Sequence, residues 1–206
     1  MKPALEGRIV PLRKLDERRT SVSDISDEAL LAACGVGDAA ALGALFDRHH
    51  EAVYRLASRL LHTDPAEIDD LVQTTFLGAW RSARSFSGRG SVKSFLFGIA
   101  ANTVRHHLRT TTRRRRAHAE MPTPQQPRLP DEAAARAQQV HRLAAAVDEL
   151  PHDLRVAYVL CDLEDMAGVE AARVVGVRAG TLWRRLHEAR RLLRDAIEAE
   201  PRGGSR

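Results

Sequence analysis

The chain has 206 residues, of which 44% are hydrophobic, 29% charged and only 4% aromatic, with 32 Lys plus Arg against 27 Asp plus Glu. These figures exclude a collagen-like chain, a disulfide-stapled mini-protein and wholesale disorder, and the few aromatic and scattered β-branched residues disfavour a large sheet. Lys2, Lys14 and Lys93 are the only lysines, so the basic side is almost entirely arginine. No apolar run approaches the roughly 20 residues of a membrane span, and the first 25 residues hold no apolar signal core, so no membrane insertion is expected. Cys34 and Cys161 read as reduced, buried side chains of a cytoplasmic protein.

Residues 1–25 mix Pro, Arg, Asp and Ser without periodicity and read as a flexible tail. A first helical unit is expected over 26–110. It opens with a short helix from about 27 to 34 that stops near Gly35. The next helix starts after Gly37 with Asp38 as its cap, and Leu42, Leu45, Phe46, His49, Val53, Leu56 and Leu60 form one apolar stripe at spacings of three and four. Asp64-Pro65-Ala66-Glu67 then spells a helix start, with a side-chain acceptor, a proline at the first helical position and a capping-box glutamate. Ile68, Leu71, Val72, Thr75, Phe76, Ala79 and Trp80 continue that helix. A polar loop over 81–90 has Phe86 as its one apolar anchor, and Val92, Phe95, Leu96, Ile99, Ala100, Thr103 and Leu108 mark a fourth helix to about 110.

Residues 111–134 are read as an Arg- and Pro-rich flexible linker, since Pro122, Pro124, Pro127 and Pro130 forbid a continuous helix. A second helical unit is expected over 135–198, and a flexible tail over 199–206. Within it a helix ends near 149, Pro151 opens another, and a short helix over about 166–174 leads through Gly176 to a longer one over about 181–198. Short helix, glycine-containing turn and amphipathic helix make a helix-turn-helix pattern. The expected fold is therefore all-α: two small helical domains joined by a flexible linker, the second containing the helix-turn-helix.

Charge is laid out unevenly. Arg105, Arg109 and Arg113 to Arg116 form an acid-free run, and Arg178, Arg184, Arg185, Arg190, Arg191 and Arg194 crowd the last helix around one Glu188. Two arginine-rich helix ends suit two contacts with a phosphate backbone. On the last helix Trp183, Arg184, His187, Glu188 and Arg191 lie off the buried stripe, where arginine can pair with guanine and glutamate with cytosine, while Arg178 and Thr181 flank the turn. Trp183 suits either a thymine methyl or a seam with another helix. Asp64, Glu67, Asp69 and Asp70 crowd the start of the third helix, where Asp69-Asp70 reads as a protein-docking patch. No phosphate-binding glycine loop, His-Glu-x-x-His pair or nucleophile elbow is present, so no enzyme, cofactor or catalytic residue is expected. His49, His50 and His62, or Asp69 with Asp70, lack a convincing metal-ligand spacing, and no metal site is expected.

Two segments make the sequence recognisable. One is Asp69-Asp70-Leu71-Val72-Gln73-Thr74-Thr75-Phe76-Leu77-Gly78-Ala79-Trp80, then Phe86, then Phe95-Leu96-Phe97-Gly98-Ile99-Ala100-Ala101-Asn102. The other is Leu150-Pro151, then Gly176, then Gly180-Thr181-Leu182-Trp183-Arg184-Arg185-Leu186 with Ala189-Arg190 and Leu193-Arg194. They resemble regions 2 and 4 of extracytoplasmic-function (ECF) sigma factors of the bacterial sigma-70 family. The resemblance implies a sigma subunit that gives core RNA polymerase its promoter choice. By motif match it places Asp69, Asp70 and Gln73 in the polymerase-docking segment. It places Ser85, Ser87, Arg89, Lys93, Asn102, Arg105 and Arg109 where the −10 element is recognised and melted. It places Arg178, Thr181, Trp183, Arg184, His187 and Glu188 near the −35 element. Core RNA polymerase, promoter DNA and an anti-sigma factor are the implied partners. The alternative is a stand-alone helix-turn-helix regulator binding DNA as a dimer.

The chain departs from the family pattern at several points. It has Ala101 for a common Arg, His106 for Asp, and Gly168 and Ala171 for a common Tyr and Ile, and it carries Trp183 within the recognition motif. Gly168 lowers helix propensity and Ala171 buries less area, which predicts a second unit of low stability and an unusual promoter preference.

Overall fold

The computed structural model describes residues 25–118 and 142–198, with side chains of the first stretch described to Thr111. The expected tails, apart from Ile25 at the end of 1–25 and including all of 199–206, and the linker from 119 onward, lie outside the described residues. Helix α1 (Asp27–Gly35) starts at Ser26, whose hydroxyl accepts from the Ala29 amide. Helix α2 (Ala39–Leu60) is capped by Asp38, and α3 (Pro65–Ser82) by Asp64, whose carboxylate accepts from the Glu67 amide at 3.0 Å. A single 3-10 turn (Ala83–Ser85) leads into the loop, and α4 (Val92–His118) follows. All described residues outside turns and loops are helical.

Helix α4 ends at His118 rather than near 110, so residues 111–118 are helix and not linker. The reason is that arginine is a good helix former and no proline occurs before Pro122. The Thr110 hydroxyl supports that turn by donating to the His106 carbonyl at 2.7 Å.

The second stretch opens with helix α5, residues 142–149. Helix α6 (His152–Tyr158) runs into a π-helical turn (Val159–Leu163), then come α7 (Gly168–Val174) and α8 (Ala179–Glu198). Between α7 and α8, Gly176 takes φ +71°, a left-handed turn position that glycine adopts without strain. Arg190 clamps α8 to the π turn through two bonds to Asp162, at 2.6 and 2.9 Å.

One apolar core passes through both helical units. Leu45, Val53, Leu56, Leu60, Leu96 and Val104 from the first join Val156, Ala157, Leu160, Leu182 and Leu186 from the second. A smaller cluster of Val147, Leu150, Ala189 and Leu193 seats α5 on α8. Each fully buried leucine contributes about 1.5–3 kcal/mol. The backbones of the units come close at Gly98, where a Cβ would stand 2.9 Å from the Val174 carbonyl oxygen.

Candidate nucleic-acid interface

Helix α3 presents the acidic face. Asp69, Asp70 and Gln73 are all exposed and fall on neighbouring positions of one helix face, while Ile68, Leu71, Val72 and Phe76 turn inward. The same face continues one turn on into Leu77, an apolar side chain left 50% exposed. Leu77 stands off the apolar stripe expected for this helix, but sequence reasoning quoted it only within the motif and gave it no surface role. Its spacing of seven from Asp70 was the available signal.

The residues expected near the −10 element divide into two groups. Ser85, Ser87, Arg89 and Asn102 line one cleft of about 280 Å³ between the loop and α4, together with Phe86 and Phe95. Phe86 anchors that loop edge-on against Phe95, ring centroids 5.3 Å apart, so it is a packing residue first. The Ser85 hydroxyl is turned back onto the Ser82 carbonyl. The cleft is roofed from the second unit by Glu170 and Arg173. Ser94 donates to the Glu170 carboxylate, and Arg173 donates to the Arg89 carbonyl.

Lys93, Arg105 and Arg109 stand elsewhere. The Lys93 ammonium lies 5.1 Å from the Phe97 ring centroid and 3.7 Å from Glu164. The Glu164 side chain is only 4% exposed and is gripped by Arg59 at 2.5 Å, with Arg55 at 3.8 Å. Arg105 and Arg109 line a second cleft, of about 790 Å³, with His152, Asp153 and Arg185. There one carboxylate holds two arginines, with Asp153 accepting from Arg105 at 3.1 Å and from Arg185 at 2.6 Å. Beside it the His152 ring nitrogens are buried near the Ala101 backbone. Burial foremost, then the positive charges of Arg105 and Arg155, push His152 down to about 4, although Asp153 acts the other way. None of these cross-unit partners was legible from spacing, since Arg105 and Asp153 are 48 positions apart.

Arg178, just before α8, and Trp183, Arg184 and His187 on it are exposed, and Thr181 is half-buried. Glu188 is engaged by Arg191 at 2.7 Å. Leu182, Leu186, Ala189 and Leu193 form the buried stripe, so the helix turns its charged side outward. Trp183 does meet another helix, at Gly168, yet remains 50% exposed.

The rejected metal candidates have structural partners. His49 sits 2.6 Å from Asp27, His50 stacks on Phe46, and His62 meets Asp148. No group of three or more potential ligands converges among the described residues. Cys34 is buried and Cys161 half-buried, both as free thiols, and burial pushes both thiols up in pKa. No helix among the described residues is long and apolar enough to cross a membrane.

Known proteins are similar to this chain in sequence and fold. The ECF RNA polymerase sigma factor SigM of Mycobacterium tuberculosis is 36% identical over 168 residues, 80% of this chain and 81% of that protein. The ECF sigma factor SigE of Mycolicibacterium smegmatis is 34% identical across 78% of this chain, which spans 64% of that protein's length. Among solved structures, CnrH in complex with the cytosolic domain of CnrY matches with TM-score 0.61 at 27% identity, covering 85% of this chain and 99% of CnrH. The sigma factor RpoE in complex with the anti-sigma factor NepR from Bartonella quintana shares the fold, with TM-score 0.61 at 22% identity over 76% of this chain and 96% of that one. Residues 45–114, which carry the acidic helix and the first cleft, match sigma-70 region 2, and residues 141–193, which carry the helix-turn-helix, match sigma-70 region 4. With both regions present in order on the two helical units, the chain belongs to the ECF sigma factors of the sigma-70 family.

Proposed function

We propose that the chain directs core RNA polymerase to a specific set of promoters by binding alone. The observation that carries this is that the two sigma-70 matches fall on two units with opposite surfaces, an acidic helix on one and an arginine-lined recognition helix on the other. In this reading Asp69, Asp70 and Gln73 dock α3 on the polymerase, with Leu77 adding an apolar contact. Arg178, Thr181, Trp183, Arg184, His187 and Glu188 face the −35 element, the first residues of α8 entering the major groove. Ser85, Ser87, Arg89 and Asn102 form the −10 cleft, with Lys93, Arg105 and Arg109 supplying charge along the strand. Capture of unstacked bases offsets an unstacking cost of a few kcal/mol per step.

In the free chain the second unit covers that cleft through Glu170 and Arg173, and Asp153 neutralises Arg105 and Arg185. Both units meet DNA only after they part, and docking on polymerase supplies the binding energy for parting. The chain works in the cytoplasm and carries no catalytic group. An anti-sigma factor is its natural antagonist, in line with the complexes of CnrH and RpoE. A stand-alone dimeric regulator is not favoured, because it leaves the region 2 match without a role.

The test is transcription reconstituted from genomic fragments with purified core polymerase, with and without the chain. Promoter-specific transcripts that appear only with the chain are expected. Their absence from every fragment, alongside tight operator binding by the free protein, would establish the stand-alone regulator instead.

A further inference from the structure

Gly168 opens α7, and Trp183 lies in the second turn of α8. A Cβ built on Gly168 would stand 2.6 Å from Trp183 Cη2 and 2.9 Å from Cε2, and would press on Cζ2 as well. The benzo edge of the indole therefore lies directly on the Gly168 backbone. No other residue fits at 168 without moving the ring. The absent side chain and the oversized one are a matched pair, which also answers the low stability that Gly168 taken alone predicts.

The pair leaves a distinctive surface. Gly168 is buried, whereas Trp183 keeps 50% of its surface in water. Trp183 shares the outward side of α8 with Arg184 and His187, one position and one helical turn away. An indole pinned on one edge has little rotamer freedom left to lose, so its exposed part is pre-organised for contact. The major groove offers one apolar group on its base edges, the 5-methyl of thymine, and the neighbouring arginines suit guanine or phosphate instead.

We propose that Trp183 is a specificity-determining residue that reads a thymine methyl in the −35 element, with Gly168 as the positioning residue that sets the ring. This rests on the reading of α8 as the −35 recognition helix. The experiment uses holoenzyme assembled from core polymerase and the full chain. A duplex library randomised over the −35 element yields the preferred sequence, and each thymine in it is then replaced by deoxyuridine, which lacks only the methyl.

At one thymine the replacement is expected to weaken holoenzyme binding about 3–10-fold. Trp183→Ala should abolish that methyl effect at the same position. Gly168→Ala, which displaces the ring but keeps the helix, should reduce it, with the circular dichroism spectrum unchanged to show that the unit still folds. The proposal is overturned if no thymine shows a methyl effect, or if the effect persists undiminished in Trp183→Ala. Scrambling the whole −35 element separates the two levels. If scrambling matters but methyl removal does not, the thymine contact alone is wrong. If scrambling has no effect, the role of α8 fails and the proposal with it.

Discussion

At the residue scale, burial acts strongly on His152 and lowers its pKa. Its pKa in the folded chain, about 4, lies below the ordinary value of 6.5. Between those values the unfolded chain binds a proton that the folded chain refuses, so this contribution to stability is complete above pH 6.5 and is lost as the pH falls toward 4. The groups facing it are Arg105 from α4 and Asp153 and Arg155 from α6, with Arg109 and Arg185 along the same cleft. Melting curves at pH 7 and pH 5 should show a loss of several degrees in Tm, and His152→Gln should shrink that difference. A slope unaltered by the substitution would place the sensitivity in the carboxylates.

Asp70 belongs to the same scale. It is exposed, with no ion pair among the described residues, so reversing its charge disturbs nothing inside the fold. Asp70→Arg should weaken core polymerase binding about tenfold or more while leaving Tm unchanged, as like charges facing a basic partner cost affinity. Fluorescence anisotropy against labelled core enzyme reads this directly.

At the element scale, the caps carry local structure that sequence states plainly. Asp38 and Asp64 precede their helices in capping sequences, and both accept the expected amide bonds. Asp64→Ala removes the cap of the helix that displays Asp69 and Asp70, and should cost about 1 kcal/mol of stability, read from a denaturant midpoint at constant slope. The helix-turn-helix, its Gly176 turn and the apolar stripe of α8 were equally legible, because each depends on residues within a few positions. The extension of α4 to His118 was not, because the prolines that set the linker lie further along than the arginines were credited for. Nor was the π turn over Val159–Leu163, since nothing in a run of valine, leucine and cysteine marks an inserted residue. The −10 candidates were named as one set, but six of them stand in two clefts and Lys93 in neither. Lys93 and Arg105 are drawn away by Glu164 and Asp153, acids that sequence spacing does not connect to them.

At the scale of the whole molecule, the seam between the units decides what the free chain can do. The carbonyl of Val174 sits where a side chain at Gly98 would go. Gly98→Val should therefore push the units apart. Small-angle scattering should show a larger radius of gyration, and the free protein should bind a −10 single strand more tightly, by an estimated threefold or more, because the competent state is more populated. An unchanged radius with unchanged binding would mean that the seam yields by repacking rather than by opening.

The seam also couples the molecule to its ionic surroundings. Its polar links pair Glu164 with Arg59 and Lys93, and Asp153 with Arg105, while Asp153 also holds Arg185 within the second unit. Dissolved counterions weaken the more exposed Asp153 bridge most and the buried Glu164 carboxylate least, just as they weaken arginine contacts to phosphate. In the free chain the two effects oppose each other, because the ions that detach the arginines from DNA also release them from Asp153. On the proposed reading, docking on polymerase parts the seam and only the loss remains. The free protein should therefore show a shallow dependence of DNA affinity on ionic strength, and the same arginines, once carried by polymerase, a steep one.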